Sequence, residues 1–198
     1  MIGPDMEPPP DPVKRGPLTE AQIRAATVGE PRVHDGPIRL ADPDPAWPGL
    51  FAREARRIAA ALGERALRIE HVGSTSVPGL AAKPIIDVLL VVADSADEET
   101  YRPALEATGY RLRIREPDWF EHRMFTGPDT STHLHVLPEG CTEIDRMLRF
   151  RDRLRSDAAD RELYERTKRE LAGRRWKYLQ NYADAKGAVV EEILARAG

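Results

Sequence analysis

Residues 84–92, PIIDVLLVV, are apolar apart from one carboxylate, Asp87. A strand that is apolar on both alternating faces has to be covered on both sides, so it belongs inside a sheet with a layer on each face. That requirement excludes a simple helical bundle and an open one-sided sheet. It also singles out Asp87, because an acid buried without a cation, a metal or several donors is costly. Just upstream, LRIEHV (67–72) reads as a neighbouring strand, followed by a turn of small residues, Gly73-Ser74-Thr75-Ser76, then Val77-Pro78-Gly79 and Lys83.

The rest of the chain supplies the layers. LTEAQIRAATVG (18–29) predicts a short helix, with Thr19 and Gln22 spaced as a capping box and Gly29 as its stop. GPIRLAD (36–42) alternates like an entry strand. Residues 45–63 place Leu50, Phe51, Ala55, Ile58, Ala61 and Leu62 near 3.6 spacing, an amphipathic helix closed by Gly63. Residues 97–109 predict a helix that tolerates Pro103 only in its first turns. YRLRIR (110–115) reads as a strand; WFEHRMFTG (119–127) and STHLHVLP (131–138) read as paired strands joined at Gly127-Pro128-Asp129. Helices are expected at about 144–155, 158–173 and 175–196. The order predicts an α/β (α+β) fold: a proline-rich tail over 1–17, an α/β core over 18–143, and a C-terminal helical unit over 144–198 packed on it.

The single cysteine, Cys141, excludes a disulfide framework. No apolar run reaches the roughly 20 residues of a membrane span, and the N-terminus lacks the apolar segment of a secretory signal. A cytoplasmic protein without a membrane partner is the expectation. The formal net charge of −3 and the lack of a recognised reader motif argue against a nucleic-acid partner. Cations do outnumber acids between residues 146 and 175, as expected of a solvated helix surface or of helices that face a phosphate.

The chemistry concentrates around residues 73–87. Glycine lets a backbone approach a ligand closely, small hydroxylated residues at a turn make a nest for phosphate, and a carboxylate on the next strand can hold a divalent cation against that phosphate. Ser74, Thr75 and Ser76 can face that phosphate or can equally form a tight turn that satisfies its own backbone. Lys83 can reach a phosphate as a point charge. No Walker pattern and no dinucleotide fingerprint is present. His133 and His135 lie two apart, on one face of a strand. If imidazoles join Asp87, the donor set favours Zn, Mn or Fe over Mg. The alternative is that His135 hydrogen-bonds Asp87. His71 is read as a support of the turn. Tyr182 and Lys186 stand four apart, on one helical face.

IEHVGSTSVPGLAAKPIIDVLLVV resembles the GrpB family, whose members look like the nucleotidyltransferase superfamily. LTEAQIRAATVGEP, DPAWPGLFAREARRI, THLHV, FRDRLR and YADAKGAVVEEI match GrpB-like stretches in order, so the resemblance covers about residues 18–197. It implies a nucleotidyltransferase-like mixed sheet flanked by helices. It implies Gly73 and Ser74 at a triphosphate, Asp87 as a metal ligand, and Arg151 and Lys186 as phosphate contacts. The implied cofactor is a divalent metal, Mg or Mn, with Zn admitted through His135. The superfamily pattern calls for a second carboxylate two residues after the first; here that residue is Leu89. Three functions therefore stand open: nucleotidyl transfer to a small acceptor, non-catalytic binding of a nucleotide or coenzyme A-related ligand, and acid–base chemistry by His135, Glu70 or Asp87 on a carboxylated or phosphorylated small molecule in the same cleft without a two-metal clamp.

Overall fold

The computed structural model describes residues 16–129 and 131–197. The expected tail falls almost wholly outside them. In chain order the elements are helix α1 (Glu20–Ala26), helix α2 (Trp47–Leu62), strand β1 (Arg68–Val72), strand β2 (Ile86–Val92) and helix α3 (Arg102–Ala107). Strands β3 (Arg111–Glu116), β4 (His122–Thr126) and β5 (Thr132–Pro138) follow. Helices α4 (Thr142–Ser156), α5 (Ala158–Ala172), α6 (Leu179–Ala185) and α7 (Gly187–Ala195) complete the chain.

The five strands form one mixed sheet in the order β1-β2-β5-β4-β3. β2 runs parallel to β5, and the other neighbours are antiparallel. The apolar strand thus lies inside the sheet, as its composition demands. Alternation along it serves two cores. Val88, Leu90 and Val92 pack with Leu134, Val136, Ile58 and Leu62 beneath α2, and Tyr101 and Leu105 extend this core toward α3. Leu89 and Val91 pack with Val72, Leu137, Ile144 and Leu148 beneath α4. Asp87, His133 and His135 share that second face, because β-strand side chains repeat every two residues. The fold class is the expected α/β (α+β) mixed sheet flanked by helices.

Local chemistry sets several boundaries. Thr19 and Gln22 form the reciprocal capping box of α1. That helix stops earlier than Gly29, at Ala26, because Thr27 turns extended and Val28 donates to the Arg113 carbonyl of β3. Pro103 sits in the first turn of α3, where no hydrogen bond is lost. Residues 36–42 are not a strand. They touch the rest of the fold through single bridges, Gly36 with Trp176 and Ala41 with Ala82, and Pro37 has no N–H to extend a ladder. Glu121 lies in the turn before β4 with φ 49°, not in the strand. The last predicted helix is broken: Tyr178 is extended, and Lys186 separates α6 from α7.

Candidate functional site

Gly73 ends β1 with φ 67° and ψ −173°, a region essentially reserved for glycine. A Cβ there would fall 2.2 Å from Asp87 Oδ2. The glycine thus lets the turn close onto the carboxylate. Ser74–Ser76 then form one 3-10 turn. Two of its hydroxyls are engaged by the turn itself: Ser76 Oγ donates to the Gly73 carbonyl at 2.6 Å, and Thr75 Oγ1 donates to the Ile85 carbonyl at 3.0 Å. His71 Nε2 lies 3.1 Å from Thr75 Oγ1, and its ring stacks on Phe51. Burial pushes His71 down to about 4, so it is a neutral strut, as its place before the turn suggests. Arg155 of α4 clamps the turn from outside by donating twice to the Ser76 carbonyl, at 3.0 and 2.9 Å.

Of the three turn hydroxyls, that of Ser74 meets a charged side chain. Its Oγ accepts from Lys168 Nζ at 3.3 Å, and the same ammonium donates to the Ala81 carbonyl. Lys168, on α5, is 2% exposed and lies 4.9 Å from the centroid of the Tyr164 ring. Two further ammoniums share one ring: Lys83 Nζ lies 5.5 Å and Lys186 Nζ 4.9 Å from the centroid of Tyr182. Tyr182 is 1% exposed, and its hydroxyl has no hydrogen-bond partner among the described residues. Burial, reinforced by repulsion from Lys186, lowers Lys83 to about 8 and Lys168 to about 7. Lys186 is lowered too, by burial. Among the described residues none of the three is within 4.0 Å of a carboxylate.

On the other side of Asp87 stand the imidazoles. His133 Nδ1 and His135 Nε2 lie 3.6 and 3.7 Å from Asp87 Oδ1, too far for good hydrogen bonds. Burial by itself raises the Asp87 carboxyl, but the two rings, when they carry a proton toward it, outweigh burial and hold the group well below the usual carboxylate range. Asp87, His133 and His135 each offer one ligand atom, all within 4.8 Å of one another, a cluster that can hold a metal ion.

The structure thus brings Gly73, Ser74, Asp87, His135, Lys83, Tyr182 and Lys186 into one neighbourhood, with Thr75 and Ser76 as its scaffold. Arg151 is engaged elsewhere. It donates to Glu70 Oε2 at 2.8 Å and to the His71 carbonyl at 3.1 Å, fastening α4 to β1. The sequence analysis missed Lys168, Tyr164 and Arg155. Lys168 carries a faint signal: Tyr164 and Lys168 are four apart, one helical face, in a helix otherwise crowded with ion pairs.

The family model described as GrpB protein matches residues 37–196. The chain belongs to the GrpB family. A UPF0157 protein of Halalkalibacterium halodurans is 59% identical over 192 residues, covering 97% of this chain and 98% of that one. A UPF0157 protein of Streptomyces coelicolor is 48% identical, over 81% and 84% of the two chains. A dephospho-CoA kinase of Mycolicibacterium paratuberculosis is 34% identical over 70% of this chain but only 40% of its own length. The crystal structure of GrpB from Enterococcus faecalis aligns with TM-score 0.71 at 32% identity, over 80% of this chain and 96% of that one.

In this GrpB protein a two-metal carboxylate clamp does not fit. Leu89, at the position of the second acid, is fully buried in the core under α4. The nearest alternative on the register, Glu70 opposite Leu89, is bound by Arg151 and by Arg68.

Proposed function

We propose that this GrpB protein binds a phosphate-bearing small molecule, of nucleotide or coenzyme A-related type, between the Gly73–Ser74 end of the turn and the lysines of the C-terminal helices. The observation that carries the reading is the convergence of Lys83, Lys168 and Lys186 beside the turn: Asp87, Asp184 and Glu165 attract them from a distance, but among the described residues none of the three has a carboxylate within 4.0 Å. Three partly or wholly buried ammoniums repel one another, so a multiply charged anion lowers their free energy more than any neutral ligand. Ser74 Oγ and the free Tyr182 hydroxyl add neutral donors. The relation to a dephospho-CoA kinase sequence supports a ligand of that chemical class.

Calorimetric titration with pyrophosphate, ATP, CTP, GTP and dephospho-coenzyme A, first with a chelator present, tests the reading. Binding that weakens in Lys83→Met and Lys186→Met supports it; no binding of any phosphorylated ligand overturns it. Assay of pyrophosphate release with the bound nucleotide then separates nucleotidyl transfer from binding alone.

A further inference from the structure

His135 is held from behind. Its Nδ1 lies 3.0 Å from His122 Nε2, and His122 Nδ1 lies 2.8 Å from Glu116 Oε2. The two imidazoles stack, with ring centroids 5.2 Å apart, and Trp119 meets His122 edge-on. These contacts arise from register: Met124 pairs with His135, and Glu116 pairs with His122. A carboxylate can only accept, so His122 Nδ1 donates to Glu116. With His122 neutral, its Nε2 accepts from His135 Nδ1–H. The lone pair of His135 is then left on Nε2, aimed at Asp87. A carboxylate–histidine chain of this kind is the usual means by which a metal-binding imidazole is fixed in orientation and tautomer.

The spacing in front agrees. Bonds of about 2.0–2.1 Å to one metal give tetrahedral ligand–ligand edges of about 3.3–3.4 Å. Oδ1 of Asp87 stands 3.6 and 3.7 Å from the two imidazole nitrogens, a few tenths wider. Buried Glu143 on α4 adds negative charge within electrostatic reach of His135.

We propose that Asp87, His133 and His135 form a single three-ligand site for a borderline transition dication of the Zn, Mn or Fe class, with Glu116 and His122 as positioning residues. One carboxylate and two imidazoles suit such an ion and are a poor set for magnesium. Asp87 lies against Gly73 of the turn and within electrostatic reach of Lys83 and Lys186, so an anion held there would be near enough to supply a further ligand. The site stands on the imidazole chain, not on the ligand reading above.

The test is metal binding by chelator-stripped protein with no phosphate present. Zn²⁺ and Co²⁺ are titrated calorimetrically against Mg²⁺, with the visible absorption of bound Co²⁺ as the coordination signature. The expected result is one equivalent of Zn²⁺ bound far more tightly than Mg²⁺. The Co²⁺ spectrum should be lost in His133→Ala, whose ring is only partly buried at 28% exposure, with thermal unfolding measured alongside to show that the variant is folded. His122→Phe, which keeps the stacking, should weaken Zn²⁺ about 10–100-fold and alter the Co²⁺ bands. Glu116→Gln, which keeps an acceptor, should fall between it and wild type. A merely structural pair would lower thermal stability and leave the Co²⁺ spectrum of the folded protein unchanged; that result overturns the positioning role. Equal weak binding of Zn²⁺ and Mg²⁺, or wild-type affinity in His133→Ala, overturns the site. Because the anion titration is run with chelator and this one without anion, failure of either leaves the other readable.

Discussion

Leu89 shows how one residue decides between chemistries. A carboxylate two positions after Asp87 would complete a familiar clamp, yet the side chain there is fully buried among Val72, Leu137 and Ile144. Leu89→Asp should therefore not restore a metal pair. It should remove a core side chain, worth about 2–5 kcal/mol, and bury an unpaired acid in its place. Loss of cooperative thermal unfolding is expected, and a folded variant with raised magnesium affinity would refute the argument. Gly73→Ala is the milder test at the same scale. Its backbone alone should lose about 1–3 kcal/mol, and the methyl must displace Asp87 Oδ2. Thermal unfolding should fall accordingly, together with metal affinity. Gly73, Ser74, Asp87 and His135 were legible in the sequence because they lie within one strand–turn–strand or share a strand period. Glu116 was not, because its meeting with His122 behind His135 depends on sheet register, which no local pattern states.

At the scale of the element, α5 is the unforeseen contributor. Its sequence reads as a solvated helix laced with ion pairs, and Glu165–Arg169 is one such pair. Lys168 instead turns inward to the Ala81 carbonyl and Ser74. The helix places it there because Tyr164, one turn earlier, packs with Leu80, Val77 and Leu154. Replacing a buried charge by an apolar side chain of similar length is often neutral or stabilising. Lys168→Met should thus unfold at the same or a higher temperature than wild type. It should also lose about 10–100-fold in pyrophosphate affinity, the equivalent of one charge-assisted hydrogen bond at about 1.5–3 kcal/mol. Calorimetry and a melting curve on the same sample check both halves; retained affinity would remove Lys168 from the site. The break between α6 and α7 was equally hidden. Residues 175–196 look continuous, but Tyr178 is extended and Lys186 separates α6 from α7.

At the scale of the whole molecule, the sheet separates structure from chemistry. Its α2 face is an apolar core, while the other face is apolar under α4 and carries Asp87, His133 and His135 beyond it. The cleft is therefore shared between a sheet that carries Asp87 and the imidazoles and helices that carry two of the three lysines. That division makes anion binding depend on pH. In the free protein Lys168 loses its proton at about 7 and Lys83 at about 8, both below the ordinary 10.5. A lysine depressed on folding binds fewer protons in the native state than in the unfolded one, so stability of the free protein rises with pH between these values and 10.5. The penalty is fully present below about 7. An anion reverses the sign locally, because it favours the charged forms. Affinity should then fall as pH rises through about 7 and about 8, with protons taken up on binding. Titrations of pyrophosphate in buffers of different ionisation enthalpy measure that uptake directly. Sulfate, whose own charge is fixed over this range, separates lysine protonation from that of the ligand. Proton uptake with sulfate, reduced in Lys168→Met, is the expected outcome; affinity independent of pH would mean that the three ammoniums do not receive the anion.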